Sequence, residues 1–152
     1  MNIPPTLARE VYQELTGNIL PFWLNKARDV KTGGFYGRLD NCNNGDAEAP
    51  RSVVMTARHL WAYSAASRFL KEPSLLAGAD YAYSYLVRNY IDEQHKGVYW
   101  AVAPDGKPTD ARKQIYGEAF AIYGLSEYAC ALRDFSRVSD SDAVLESALS
   151  IF

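Results

Sequence analysis

Residues 51–70, RSVVMTARHLWAYSAASRFL, are apolar nearly all the way round a helix and contain neither Gly nor Pro. A helix of this kind is predicted to be buried on most faces, with other helices around it. Residues 113–134, KQIYGEAFAIYGLSEYACALRD, show the same all-round pattern. Two other segments are one-sided. Over residues 6–28 the stripe is Leu7, Val11, Leu15, Ile19, Phe22 and Trp23. Over 74–90, Leu76, Ala79, Tyr83, Leu86 and Val87 oppose the polar Asp80, Ser84 and Arg88. One-sided helices predict outer positions and all-round ones inner positions. Thr6 and Ser74 stand where N-caps are expected, and Gly17 with Pro21 predicts a bend in the first helix. Residues 140–152 are helical in pattern and stop without a capping signal, so the chain reads as cut.

Between the helices the periodicity fails. Residues 29–51 hold four of the ten glycines and predict a short strand at 35–39. The second loop, from residue 91 to 113, predicts one at 98–102. Gly33-Gly34-Phe35-Tyr36 and Lys96-Gly97-Val98-Tyr99 begin equivalent loops about 62 residues apart. Each loop leads through a prolyl stretch and a basic residue, Arg51 or Lys113, into an inner helix. Near the same spacing Leu60 matches Ile122 and Trp61 matches Tyr123. A unit of outer helix, long loop and inner helix, repeated, predicts a solenoid or a closed toroid. Two and a half units do not close a ring.

Within the first inner helix, Val54, Arg58, Trp61 and Ala65 fall on one stripe. An arginine does not lose its proton, so on a buried stripe it must meet a carboxylate, a polar cavity or an anionic ligand. Glu118 and Glu127 on the second inner helix are candidate partners. His59 points about 100° away from Arg58 and reads as a packed or hydrogen-bonded histidine. His95 reads as an exposed loop residue.

Composition narrows the function classes. A net charge of −2 with 48% hydrophobic and 22% charged residues lacks the basic bias of a nucleic-acid binder. Two cysteines far apart and two histidines outside any cluster give no metal motif and suggest free thiols in a reducing compartment. Neither a signal peptide nor a membrane-spanning run is evident, so a cytoplasmic location is expected. Eleven Tyr and three Trp suit packing on sugar rings as well as packing between helices.

The stretches GGFYGRLD, APRSVVMTARHLWAYSAA, KGVYW and DARKQIYGEAFAIYGLSEYA resemble the N-terminal part of the N-acylglucosamine 2-epimerase family, most of all its cellobiose 2-epimerases. The resemblance implies an all-α fold, the N-terminal portion of an (α/α)6 barrel with short strands in its long loops. Residues 1–152 would supply roughly the first five helices of one incomplete domain. It also implies a reducing sugar as substrate, no cofactor, and proton removal and return at C2 through an enediolate. The family's two catalytic histidines lie in its C-terminal half and have no counterpart here. The motif arginine maps onto Arg58, holding the C1 and C2 oxygens, and the motif tyrosine onto Tyr116. Trp61 and Glu118 complete the candidate substrate contacts, with core packing and a surface carboxylate as their plainer alternatives. Arg58 is expected to open onto a polar cavity at the end where Tyr116 lies. A six-hairpin glycoside hydrolase or lyase is the alternative enzyme, though Asp40, Asp46, Asp105 and Asp110 form no clear catalytic pair. A non-catalytic helical-repeat module binding sugars or proteins is the alternative outside enzymes.

Overall fold

The computed structural model of the chain describes residues 4–151 and begins its first helix, α1 (Pro5–Glu14), on a proline. Pro5 takes the first helical position, where a missing N–H costs nothing, so the predicted Thr6 cap is not used. The expected bend is a π turn, Leu15–Ile19, passing into α2 (Leu20–Asn25). Pro21 has no N–H to return to the turn before it, which favours the wider winding here.

The inner helix begins at Val53, two residues later than predicted. Arg51 and Ser52 form strand β1 (Arg51–Ser52), and the Ser52 hydroxyl caps α3 (Val53–Leu70) by accepting from the Met55 N–H. Lys71 then turns left-handed, and α4 (Pro73–Tyr90) opens on Pro73, so the predicted Ser74 cap is displaced in the same way as Thr6. Strand β2 (Ala101–Val102) pairs antiparallel with β1 and with β3 (Pro108–Asp110), a strand the periodicity did not reveal. The strand predicted at 35–39 is reduced to two single bridges, Arg28 with Phe35 and Leu39 with Gly45. The chain ends in α5 (Ile115–Asp134) and α6 (Val138–Ser150).

The two loops are duplicates down to single hydrogen bonds. The Asp29 N–H donates to the Gly34 carbonyl and the Tyr36 N–H to that of Ala27. Sixty-three positions on, the Asp92 N–H donates to Gly97 and that of Tyr99 to Tyr90.

Helices α3 and α5 run side by side in the same direction. A Cβ on Gly117 would lie 3.0 Å from Val53, and one on Gly124 2.7 Å from the Ala57 carbonyl, so contact positions advance together along both helices. Helices α4 and α6 cover the outer side, burying Leu76, Ala79, Leu86, Val144 and Ala148. The sandwiched face of α3 (Val53, Ala57, Leu60, Tyr63) is closed to solvent. Its opposite face is not: Arg58 and Ala62 are exposed, and Phe69 is 76% exposed. The expectation of burial on most faces therefore fails on this side, where no described element packs.

Candidate functional site

Three of the four candidate residues, Arg58, Trp61 and Tyr116, lie on the open face of α3 and α5. Trp61 stacks on Tyr123, ring centroids 5.3 Å apart and 12° from coplanar. These residues are repeat-equivalent, and parallel neighbouring helices set equivalent positions side by side. From Tyr123 the rings continue to Phe120 at 6.4 Å, Tyr116 at 4.9 Å and Trp100 at 6.5 Å. Tyr116, Phe120 and Tyr123 follow the i, i+4, i+7 stripe of α5. Trp100 joins them from the loop before β2, whose carbonyl also receives the Val53 N–H. Five aromatic rings thus form one band across the face.

Arg58 stands one turn before Trp61 on the same stripe of α3. Among the described residues it takes part in none of the ion pairs: Glu127 binds Arg68 at 2.7 Å instead. Glu118 is not its partner either. It lies two residues past Tyr116, on the other flank of α5, with its carboxylate against Gly97. There it lines a hollow of about 510 Å³ with His95, Lys113, Ile115 and Ile151. A second hollow of about 300 Å³ lies between α2 and the start of α4. Neither reaches Arg58 or Tyr116, so the expected polar cavity is, in these residues, an open face. Tyr116 is 60% exposed, in the first turn of α5, as Arg58 is in the second turn of parallel α3. Both therefore sit toward the same end of the helix layer.

The fully buried arginine is Arg51, which pattern reading noted only as a loop-end residue. Its Nη2 binds Asp29 Oδ2 at 2.6 Å and Thr32 Oγ1 at 2.7 Å, and its Nη1 reaches the Tyr85 hydroxyl at 3.0 Å and the Gly33 carbonyl. Burial pushes the Asp29 carboxyl up, but hydrogen bonds from Thr32, Lys31 and Arg51 outweigh it and hold the group below the ordinary range. The signal was available in the repeat, because Asp29 and Asp92 precede equivalent turns.

His59 is packed, as the sequence reading has it. Its ring stacks on Phe35 at 3.9 Å and meets Trp23 edge-on at 5.5 Å, with Nδ1 2.9 Å from the Met55 carbonyl. Burial holds the imidazole down to about 4, with Met55 opposing the shift. A neutral ring with its Nδ1 proton committed to a carbonyl is poorly placed to take a proton from a substrate. His95 is exposed in the second loop, 3.4 Å from Asp92. Among the described residues no three His, Cys, Asp or Glu gather as metal ligands, and no helix is long and apolar enough to cross a membrane.

Known proteins match the chain over most of its length. Residues 34–149 match the profile of the family described as N-acylglucosamine 2-epimerase (GlcNAc 2-epimerase). The chain is 41% identical over 128 residues to a cellobiose 2-epimerase of Bacteroides fragilis, covering 84% of this chain and 33% of that protein. It is 46% identical over 125 residues to one from Ruminococcus albus, covering 82% and 32%. A solved sugar epimerase from a ruminal bacterium superposes with a TM-score of 0.83 at 40% identity, over 94% of this chain and 36% of that one. The chain thus spans about a third of the length of these relatives. Its fold is the N-terminal portion of an (α/α)6 barrel.

Proposed function

The chain belongs to the N-acylglucosamine 2-epimerase family, and from that membership we propose that its open face is one wall of a site for epimerising a reducing sugar at C2. The observation that carries this reading is Arg58, exposed and without an ion-pair partner among the described residues, beside a continuous aromatic band. Sugar rings present apolar C–H faces that stack on aromatic surfaces, while the hydroxyls remain free for polar partners.

In the proposed reaction a base removes the C2 proton of the ring-opened aldose. The C–H electron pair forms the C1–C2 double bond, and negative charge moves onto the carbonyl oxygen. Arg58 presents a planar donor pair to the C1 and C2 oxygens, and this attraction grows as the enediolate charge develops. Tyr116 offers its hydroxyl to the same end of the sugar, and Trp61 belongs to the stacking surface. An acid then returns a proton to C2 from the opposite face. The base and acid lie outside these 152 residues on this reading, because His59 is packed and neutral and His95 stands in the second loop. The chain alone is therefore expected to show no turnover. Cellobiose is the first substrate to try, with mannose and N-acetylmannosamine as alternatives.

The test replaces the corresponding third of the Ruminococcus albus relative with this chain. The chimera is incubated with each sugar in D2O, and deuterium at C2 is followed by NMR. Incorporation with one of these sugars supports the reading. A folded chimera that exchanges none of them contradicts it.

A further inference from the structure

The duplicated loops hold a second, less buried version of the Arg51–Asp29 pair. Asp92 Oδ1 accepts from the N–H groups of Gln94 and His95, at 3.1 and 3.0 Å, as Asp29 Oδ1 accepts from Lys31 and Thr32. Its Oδ2 binds Lys113 Nζ at 2.8 Å, where Asp29 Oδ2 binds Arg51. In both units the acid begins the loop and the base ends it, immediately before the inner helix. The two pairs differ in enclosure. Arg51 is sealed beneath Tyr85, whereas the Lys113 side chain is 29% exposed, with its ammonium 4.1 Å from the centre of the Tyr99 ring.

The duplicated geometry matters because the α5 N-cap, Gln114, makes no side-chain capping bond. The first turn of α5 packs through Gly117 on Val53 and Trp100, but no side chain at the cap holds its leading end. The Asp92–Lys113 pair spans that junction, one residue before the cap and three before Tyr116. We infer that Lys113 is a positioning residue: through Asp92 it locks the start of α5 and so sets the place of Tyr116 on the aromatic band. The role of Tyr116 toward a sugar rests on the function proposed above; the positioning of its ring does not.

The experiment therefore uses no sugar. In the 152-residue chain, amide hydrogen exchange is measured over 118–120, the first amides bonded within α5, and over α4 as a remote reference. The Tyr116 ring resonances, assigned by Tyr116→Phe, report its contact with Trp100. Lys113→Met should speed exchange at 118–120 roughly tenfold or more, as expected for losing one charge-assisted hydrogen bond, and shift the Tyr116 ring. Exchange in α4 should hold. Lys113→Arg, the residue the first repeat already uses, should restore both signals, and Asp92→Asn should reproduce Lys113→Met. Unchanged exchange and an unmoved ring in Lys113→Met would overturn the inference. So would failure of Lys113→Arg to restore them, or an equal rise in α4, which would mark general loosening.

Discussion

Asp29 and Arg51, 22 positions apart, close an ion pair whose side chains are 2% and 1% exposed, and it joins the start of the first long loop to its end. Removing one member strands the other in the interior, at a cost of about 3–5 kcal/mol. Domain stabilities run to about 5–15 kcal/mol, so Arg51→Met is expected to remove a large share of the stability. Arg51→Lys keeps the charge but not the fork that reaches Tyr85 and Gly33 as well, and should fall between. Urea denaturation followed by circular dichroism ranks the three. Equal midpoints would mean that the pair contributes no net stability.

The same substitution at two glycines should act in opposite directions. A Cβ at Gly124 would lie 2.7 Å from the Ala57 carbonyl, a backbone atom that cannot turn aside. Gly124→Ala must push α3 and α5 apart, costing about 1–3 kcal/mol, which exceeds the gain in helix propensity of about 1 kcal/mol. At Gly17, in the π turn, an added Cβ meets nothing within 4 Å. Gly17→Ala should stabilise by about 0.4–1 kcal/mol through the unfolded chain. Thermal midpoints of both variants check the signs.

The packed His59 gives stability a pH dependence of known sign. Its folded pKa of about 4 lies below its ordinary 6.5. Between those values the unfolded chain binds the extra proton, so stability rises with pH across the window. Below it Asp29 and Asp92, both held under the usual carboxylate range, lose their contribution as pH falls through their folded values. Urea midpoints from pH 4 to 7 should show the rise. His59→Phe, which keeps the stack on Phe35, should flatten it. A slope unchanged by that substitution would place the titrating group elsewhere.

The helices were legible in the chain because each shows its apolar period locally. All four long segments appear, with no end moved by more than three residues when α1, the π turn and α2 are taken together as the first. The inner and outer assignment followed from whether the period wrapped the helix or not, and the resemblance supplied the barrel. Caps were misread at Thr6 and Ser74 because a neighbouring proline pre-sets the first helical position more firmly than a hydroxyl does. Arg51 escaped notice because its partner lies a whole loop away, beyond the reach of any local pattern. Glu118 was misplaced relative to Arg58 because helix spacing fixes a residue's angle on its own helix but not what stands opposite. The aromatic band was half visible: the repeat matched Trp61 with Tyr123, while Trp100 arrives from a loop.

The most direct measurement concerns Arg58. In the chimera with the Ruminococcus albus relative, kcat for cellobiose epimerisation and the urea midpoint are compared between the native residue and Arg58→Ala. An exposed residue outside the ion-pair network should change stability by no more than about 0.5 kcal/mol. Loss of a donor aimed at developing charge should lower kcat by about 100- to 1,000-fold, with Arg58→Lys recovering little of it. Near-native kcat in Arg58→Ala, or a loss of kcat matched by loss of the folded state, would show that Arg58 is not the residue that meets the enediolate.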